Sequence, residues 1–222
     1  MTAMGSDGGG PARTEDRPRT VAVIPVGAIE RAKSRLGGTL DAEERRDLVG
    51  GLLDRTLAAA LATPTITETL VVSPDDEVLA IASAAGARVI RQVSRGLNRG
   101  LEEAREVAMR DGAGALLVLP GDLPDVSPAA IEEVLSALDA SPPPLVAIVP
   151  DRHGRGTNAL LLAPPDVIGF AFGGDSRAAH RHAAEAVCTR VVELGGPLTL
   201  DLDTPEDLLL VQSALRGVAS GR

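Results

Sequence analysis

Short aliphatic runs alternate with helix-start signals along most of this chain, and that alternation is the strongest constraint on its fold. Val21 to Val26, Thr69 to Ser73, Ala87 to Arg91, Ala115 to Leu119, Val146 to Pro150, Asn158 to Leu162 and Thr189 to Leu194 read as strands. Asp41-Ala42-Glu43-Glu44 has the spacing of a capping box and opens a helix to about Leu61. Ser73-Pro74-Asp75-Asp76 predicts a second helix, with Ser73 as its cap and an end near Gly86. Further helices are expected from Leu97 to Arg110, from Ser127-Pro128 to Leu138, from Arg177 to Ala186, and from Thr204-Pro205 to about Leu215. Strands alternating with helices imply an α/β domain, with a mostly parallel sheet flanked by helices. Ligands of such sheets bind at the carboxyl ends of the strands, near a switch in strand order.

A length of 222 residues suits one such domain. We place it at 20–217, behind a Gly-, Pro- and charge-rich segment 1–19 expected to be a disordered tail. The only aromatic residues, Phe170 and Phe172, sit together, so the core must be aliphatic and the pair suggests more than core filling. A net charge of −9 without a basic block argues against nucleic acid as a partner. The single Cys188 excludes an intrachain disulfide and a cysteine-rich zinc site, and reads as a small apolar residue entering a late strand. No run approaches the roughly 20 apolar residues of a membrane span, and no leader-like apolar segment opens the chain. A cytoplasmic location is the expectation.

Two aspartate motifs end strand-like segments: Gly121-Asp122-Leu123-Pro124 and Asp201-Leu202-Asp203-Thr204-Pro205. Asp201 and Asp203, two apart on an extended stretch, leave it on the same face. If they converge with Asp122, three mutually repelling carboxylates have reason to bind Mg²⁺. The plainer alternative is a turn at Asp122 and helix capping at Asp203 and Thr204. The loop after the first strand, from Pro25 and Val26 through Lys33 to Leu36, holds three cations and could wrap phosphates with backbone N–H groups. It has neither a Walker A pattern nor a dinucleotide glycine fingerprint, and could equally be a solvated helical turn. Gly96 and Asn98 precede or open a helix; Asn98 reads as its N-cap, or as an amide for a base or ribose. The loop 151–158, with Thr157, is either a hairpin turn or an anion cradle. Gly173-Gly174-Asp175-Ser176 would aim a helix N-terminus and a hydroxyl at an anion, or form an ordinary turn and cap. His180 and His182, two apart on a helix, make a poor metal pair and read as surface positions.

Taken in order, Ala32-Lys33-Ser34-Arg35-Leu36, Gly96-Leu97-Asn98, Gly121-Asp122-Leu123-Pro124, Arg152-His153-Gly154 with Gly156-Thr157-Asn158, Phe172-Gly173-Gly174-Asp175-Ser176 and Asp201-Leu202-Asp203-Thr204-Pro205 resemble a known family. It is the guanylyltransferases of deazaflavin coenzyme (coenzyme F-420) biosynthesis, which use 2-phospho-L-lactate or, in bacteria, phosphoenolpyruvate. The resemblance covers about residues 20–215. It implies a nucleotidyltransferase-like, Rossmann-like single domain, GTP, Mg²⁺ and a phosphorylated three-carbon acid. Carried over by position, Asp122, Asp201 and Asp203 would bind the metal, and Thr157, Gly173 and Ser176 the acid. Lys33 would meet the GTP phosphates and act in catalysis with Asp122; Pro25, Val26, Gly96 and Asn98 would lie at the nucleotide. The product would pass to a downstream transferase. The family's first loop usually begins Pro-Val-Lys, and Gly27 stands here in the lysine's place. Arg31 or Lys33 is left to supply that charge, or the triphosphate is held less tightly. Competing expectations are a nucleotidyltransferase of the same fold that uses CTP or a sugar phosphate, and a non-catalytic nucleotide-binding module.

Overall fold

Seven strands make one sheet in the order β3-β2-β1-β4-β6-β5-β7 in the computed structural model, which describes residues 17–28 and 36–211. They are β1 (Thr20–Pro25), β2 (Ile66–Ser73), β3 (Arg88–Arg91), β4 (Ala115–Val118), β5 (Leu145–Pro150), β6 (Thr157–Ala163) and β7 (Arg190–Glu193). The helices are α1 (Ala42–Ala62), α2 (Asp76–Ala84), α3 (Leu97–Arg110), α4 (Pro128–Leu135), α5 (Ala137–Ala140) and α6 (Ser176–Ala186), and residues 205–211 begin a last one. Only β6 runs against the rest; it pairs antiparallel with both β4 and β5, and the other pairings are parallel.

The central strands are aliphatic through their middles because both faces of the sheet are covered. Ala22 and Ile24 of β1 point to one side, with Leu117 of β4 and Leu161 of β6. Leu53 and Leu57 of α1, Val78 of α2 and Ile131 of α4 pack there. Val21 and Val23 point to the other side, with Leu116, Val118 and Leu160, against Leu101 and Ala104 of α3 and Ala184 of α6. With leucine as the filler, truncating a fully buried one such as Leu53 or Leu117 to alanine costs about 2–5 kcal/mol.

The local signals explain most element ends. Asp41 caps α1, accepting from the Glu43 and Glu44 amides at 2.9 Å, and the Glu44 carboxylate returns to the Asp41 amide at 2.8 Å. At α2 the expected cap moves two residues: Asp75, not Ser73, is the N-cap and accepts from the Glu77 amide, while the Ser73 hydroxyl accepts from the Asp75 amide. Asn98 does not cap α3 either; Gly96 does, at φ +95°, a conformation that glycine alone adopts readily. The helix after Ser127 is interrupted at Ser136, whose hydroxyl donates to the Glu133 carbonyl at 2.6 Å. Residues 201–203 are irregular, not a strand, and follow a 3-10 turn at Pro197–Thr199. Cys188 is exposed and sits at φ +54° between α6 and β7, so it is not a core residue.

Of the expected tail, 1–16 lies outside the described residues, and 17–19 are held. Arg17 is hydrogen-bonded to Asp139, and Arg19 to Glu68 at 2.8 Å. The last-helix expectation beyond 211 also lies outside. Among the described residues no helix is long and apolar enough to cross a membrane.

Candidate active site

The carboxyl ends of the parallel strands and the amino end of β6 open on one edge of the sheet. From β1 the chain moves outward to β2 and β3, then returns to place β4 on the other flank of β1. The crevice at that switch is where sheets of this kind bind ligands. A cleft of about 480 Å³ lies there. Pro25, Val26, Gly27 and Ala28 line one wall, and Pro120, Gly121 and Asp122 another, with Leu52, Leu97 and Phe172 around them. A second cleft of about 650 Å³ shares Leu97, Pro120, Asp122, Phe172 and Asp203 with the first, so the two form one elongated groove. Thr157, Gly173, Ser176 and Asp201 line the second part.

The two aspartate motifs meet through the backbone. The Leu202 amide donates to the Asp122 carbonyl at 3.2 Å, and the Leu202 side chain is buried. Asp201 and Asp203, flanking that buried leucine, are thereby left beside Asp122 along the groove. Burial pushes the Asp201 carboxyl above the usual carboxylate range, and the charges of Asp122 and Asp203 push it further. Such mutual repulsion suits a hard divalent cation. The side chains do not close on a single point, however: among the described residues no group of three or more His, Cys, Asp or Glu is arranged to hold a metal ion. Mg²⁺ usually takes one or two carboxylates and completes its shell with water and substrate phosphate.

Asp207, to which the sequence analysis gives no role, organises this acidic segment. One of its oxygens accepts from the Asp203 amide at 3.1 Å, the Thr204 amide at 2.7 Å and the Thr204 hydroxyl at 2.8 Å. The other faces the Arg152 guanidinium at 2.6 Å. These hydrogen bonds and Arg152 hold its carboxyl below the usual range in spite of burial. Arg152, expected in an anion cradle, is thus paired with Asp207, while His153 and Arg155 line the groove. Asn158 is also structural: its amide donates to the Leu198 carbonyl at 3.1 Å and anchors the turn ahead of Asp201.

The loop 151–156 is the hairpin turn between β5 and β6. Asp151 accepts from the Arg155 amide at 2.8 Å, and a Cβ on Gly156 would stand 2.8 Å from the same carboxylate, so only glycine fits there. The turn docks on the start of α6, where the Arg177 amide donates to the Arg155 carbonyl. Thr157, the first residue of β6, is buried, and its Oγ1 lies 3.1 Å from His180 Nδ1. His180 is fully buried, contrary to the surface position expected from its spacing; exposed His182 keeps that description. Ala171 N–H donates to His180 Nε2 at 3.0 Å, and Phe172 lies edge-on to the imidazole at 4.9 Å. Burial lowers the His180 pKa to about 4, so the ring is neutral near pH 7. Asn98 clamps Phe172 from the other side: its carbonyl accepts from the Phe172 amide at 2.9 Å and its amide donates to the Phe172 carbonyl at 3.1 Å. Of residues 96–98, Leu97 is the one that lines the groove. Lys33 and Arg31 lie outside the described residues.

Comparison with known proteins bears on the family and the fold. A family model described as "Guanylyl transferase CofC like" matches residues 20–216. A phosphoenolpyruvate guanylyltransferase of Sphaerobacter thermophilus is 43% identical over 85% of this chain and 90% of its own length. One from Rubrobacter xylanophilus is 44% identical over 87% of this chain and 93% of its own. Among solved structures, a nucleotidyl transferase from Methanothermobacter superposes with a TM-score of 0.64 at 20% identity, over 90% of this chain and 99% of that one. At that identity the likeness speaks for the fold.

Proposed function

The chain belongs to the CofC-like guanylyl transferase family, and from that premise we propose that it transfers GMP from GTP to the phosphate of phosphoenolpyruvate. The observation that carries the reading is the elongated groove with an acidic middle. Its first part, walled by Pro25–Ala28 and Leu97, suits a nucleotide. Its second part presents the Thr157 and Ser176 hydroxyls and the open Gly173 backbone, which suits a small phosphorylated acid. Asp122 and Asp203 are common to both.

In this reading a phosphate oxygen of the acid attacks the α-phosphorus of GTP in line. The bond from that phosphorus to the bridging oxygen breaks, and pyrophosphate leaves. The nucleophile is already an anion, so no strong general base is required, and catalysis rests on positioning and charge neutralisation. Two anions about 4 Å apart repel by roughly 4 kcal/mol per charge pair at an effective dielectric near 20, so cations must offset them. Lys33 of the first loop and Arg155 of the second cleft are candidates. One or two of the Asp122, Asp201 and Asp203 carboxylates, with water and substrate phosphate, would hold Mg²⁺, which when bound neutralises phosphate charge. The product, enolpyruvyl-2-diphospho-5'-guanosine, would be consumed by a transferase that breaks its new diphosphate linkage.

Pyrophosphate release with GTP and either phosphoenolpyruvate or 2-phospho-L-lactate tests the reading. Phosphoenolpyruvate is expected to give the faster release. Turnover with 2-phospho-L-lactate alone would reassign the acid; a thermal shift with CTP and none with GTP would overturn the nucleotide.

A further inference from the structure

His180 is buried behind the groove wall and is absent from the reaction described above, yet both of its ring nitrogens are engaged. Its Nε2 receives the Ala171 amide, and a backbone N–H can only donate. Nε2 therefore carries a lone pair, and in the neutral ring the proton sits on Nδ1. The partner of Nδ1 is Thr157 Oγ1 at 3.1 Å, so the imidazole donates and the hydroxyl oxygen accepts. An oxygen that accepts here has its own hydrogen left to give. Thr157 lines the second cleft, where the only demand that hydrogen can meet is an acceptor atom such as an anionic oxygen.

We propose that His180 is a positioning residue: Ala171 sets its tautomer, and the tautomer turns the Thr157 hydroxyl into an obligate donor toward the acid bound in the second cleft. The inference rests on the proposed acid-binding role of Thr157. It also ties that hydroxyl to the 170–174 loop, because Phe172 packs on the imidazole and Asn98 holds Phe172 at both backbone atoms. Gly173 follows directly in the chain. One wall of the acid site thus reports on the seating of the other.

Two measurements on the full-length protein test this. The first is ¹⁵N NMR of histidine-labelled protein near pH 7, with the His180 signal identified by its loss in His180→Gln. The expected signature is a neutral ring protonated at Nδ1 and bare at Nε2; a ring protonated at Nε2 overturns the proposal. The second is a double-mutant cycle on KM for the acid. Thr157→Val is expected to raise that KM about tenfold, the scale of one hydrogen bond to a charged group, with KM for GTP unchanged. His180→Gln is expected to raise it in the same way, and the double variant to match Thr157→Val alone. Additive effects overturn the coupling while leaving Thr157 as an acid contact. An unchanged acid KM in Thr157→Val removes Thr157 from the acid site, and the donor role with it, whatever the NMR shows. Should the His180 variant fail to fold, the NMR of the unaltered chain still decides the tautomer, with the ring that stays neutral on mild acidification taken as His180.

Discussion

The β1–β4 side of the groove and the β6 side are built in different ways. The first consists of segments that follow the parallel strands β1 and β4, and presents aliphatic side chains and backbone from Pro25 to Ala28 and Pro120 to Asp122. The second depends on the one reversed strand, whose first residue, Thr157, comes to the same edge as the ends of its neighbours. Its polar side chains are locked in place: Thr157 to the His180 ring, His180 to the Ala171 backbone amide, Asn98 to the Phe172 backbone. A nucleotide offers a large, flat, partly apolar surface that a shallow wall can recognise. A three-carbon acid offers little besides charge and shape, so its site needs donors fixed in advance.

The largest test of this division falls on Asp122, a carboxylate common to both sides. Asp122→Asn keeps the shape and removes the charge, and is expected to lower kcat by on the order of 10²- to 10³-fold with the fold intact by circular dichroism. Full turnover would detach the acidic middle from the chemistry. Next comes acid sensitivity on the β6 side. The folded His180 pKa is about 4 against 6.5 for an ordinary histidine. The unfolded chain therefore takes up the proton first. The contribution of this residue is fully present above pH 6.5 and is lost as pH falls toward 4. Urea unfolding should show about 2–3 kcal/mol less stability from this source at pH 4.5 than at pH 7, and His180→Gln should abolish that part of the pH dependence. Equal slopes in both proteins would mean that the imidazole is not neutral and buried in the way described.

Asp207→Ala addresses the acidic middle from behind. It leaves the Asp203 and Thr204 donors without their acceptor, and should cost about 1–3 kcal/mol in urea unfolding. Turnover should fall while KM for GTP holds. The smallest effect is on the nucleotide side. Gly27 is exposed on the first cleft, and a Cβ there meets nothing within 4 Å. Gly27→Lys should lower KM for GTP by a few-fold, as about 0.5–1 kcal/mol from a partly screened charge would give. An unchanged KM would mean that Arg31 and Lys33, later in the same loop, already supply the charge.

Legibility in the sequence follows the same line. The strands were readable because burial on both faces leaves unbroken aliphatic runs, and the cap of α1 because Asp41 and Glu44 are local partners. The crevice could be located from the alternation of strands and helices, without knowing strand order. What escaped depended on partners distant in the chain. His180 looks like a surface position until Thr157 and Ala171 close around it. Asp207 looks like a helix-start acid until Arg152 reaches it from the β5–β6 turn. Asn98 resembles a cap because a capping amide and a loop-clamping amide have the same local sequence. Asp201 and Asp203 were placed on a common side for a sound reason, since Leu202 between them is buried, although the segment is not a strand.

The hydrogen bond from the Leu202 amide to the Asp122 carbonyl has a consequence for synthesis of the chain. All seven strands are complete by Glu193, before Leu202 is reached. A nascent chain paused after β7 would hold every residue of the sheet and the Thr157 and Ser176 hydroxyls of the second cleft, but Asp122 without Asp201 and Asp203. The acidic middle is therefore the last part of the groove to be made, after the sheet that it sits on.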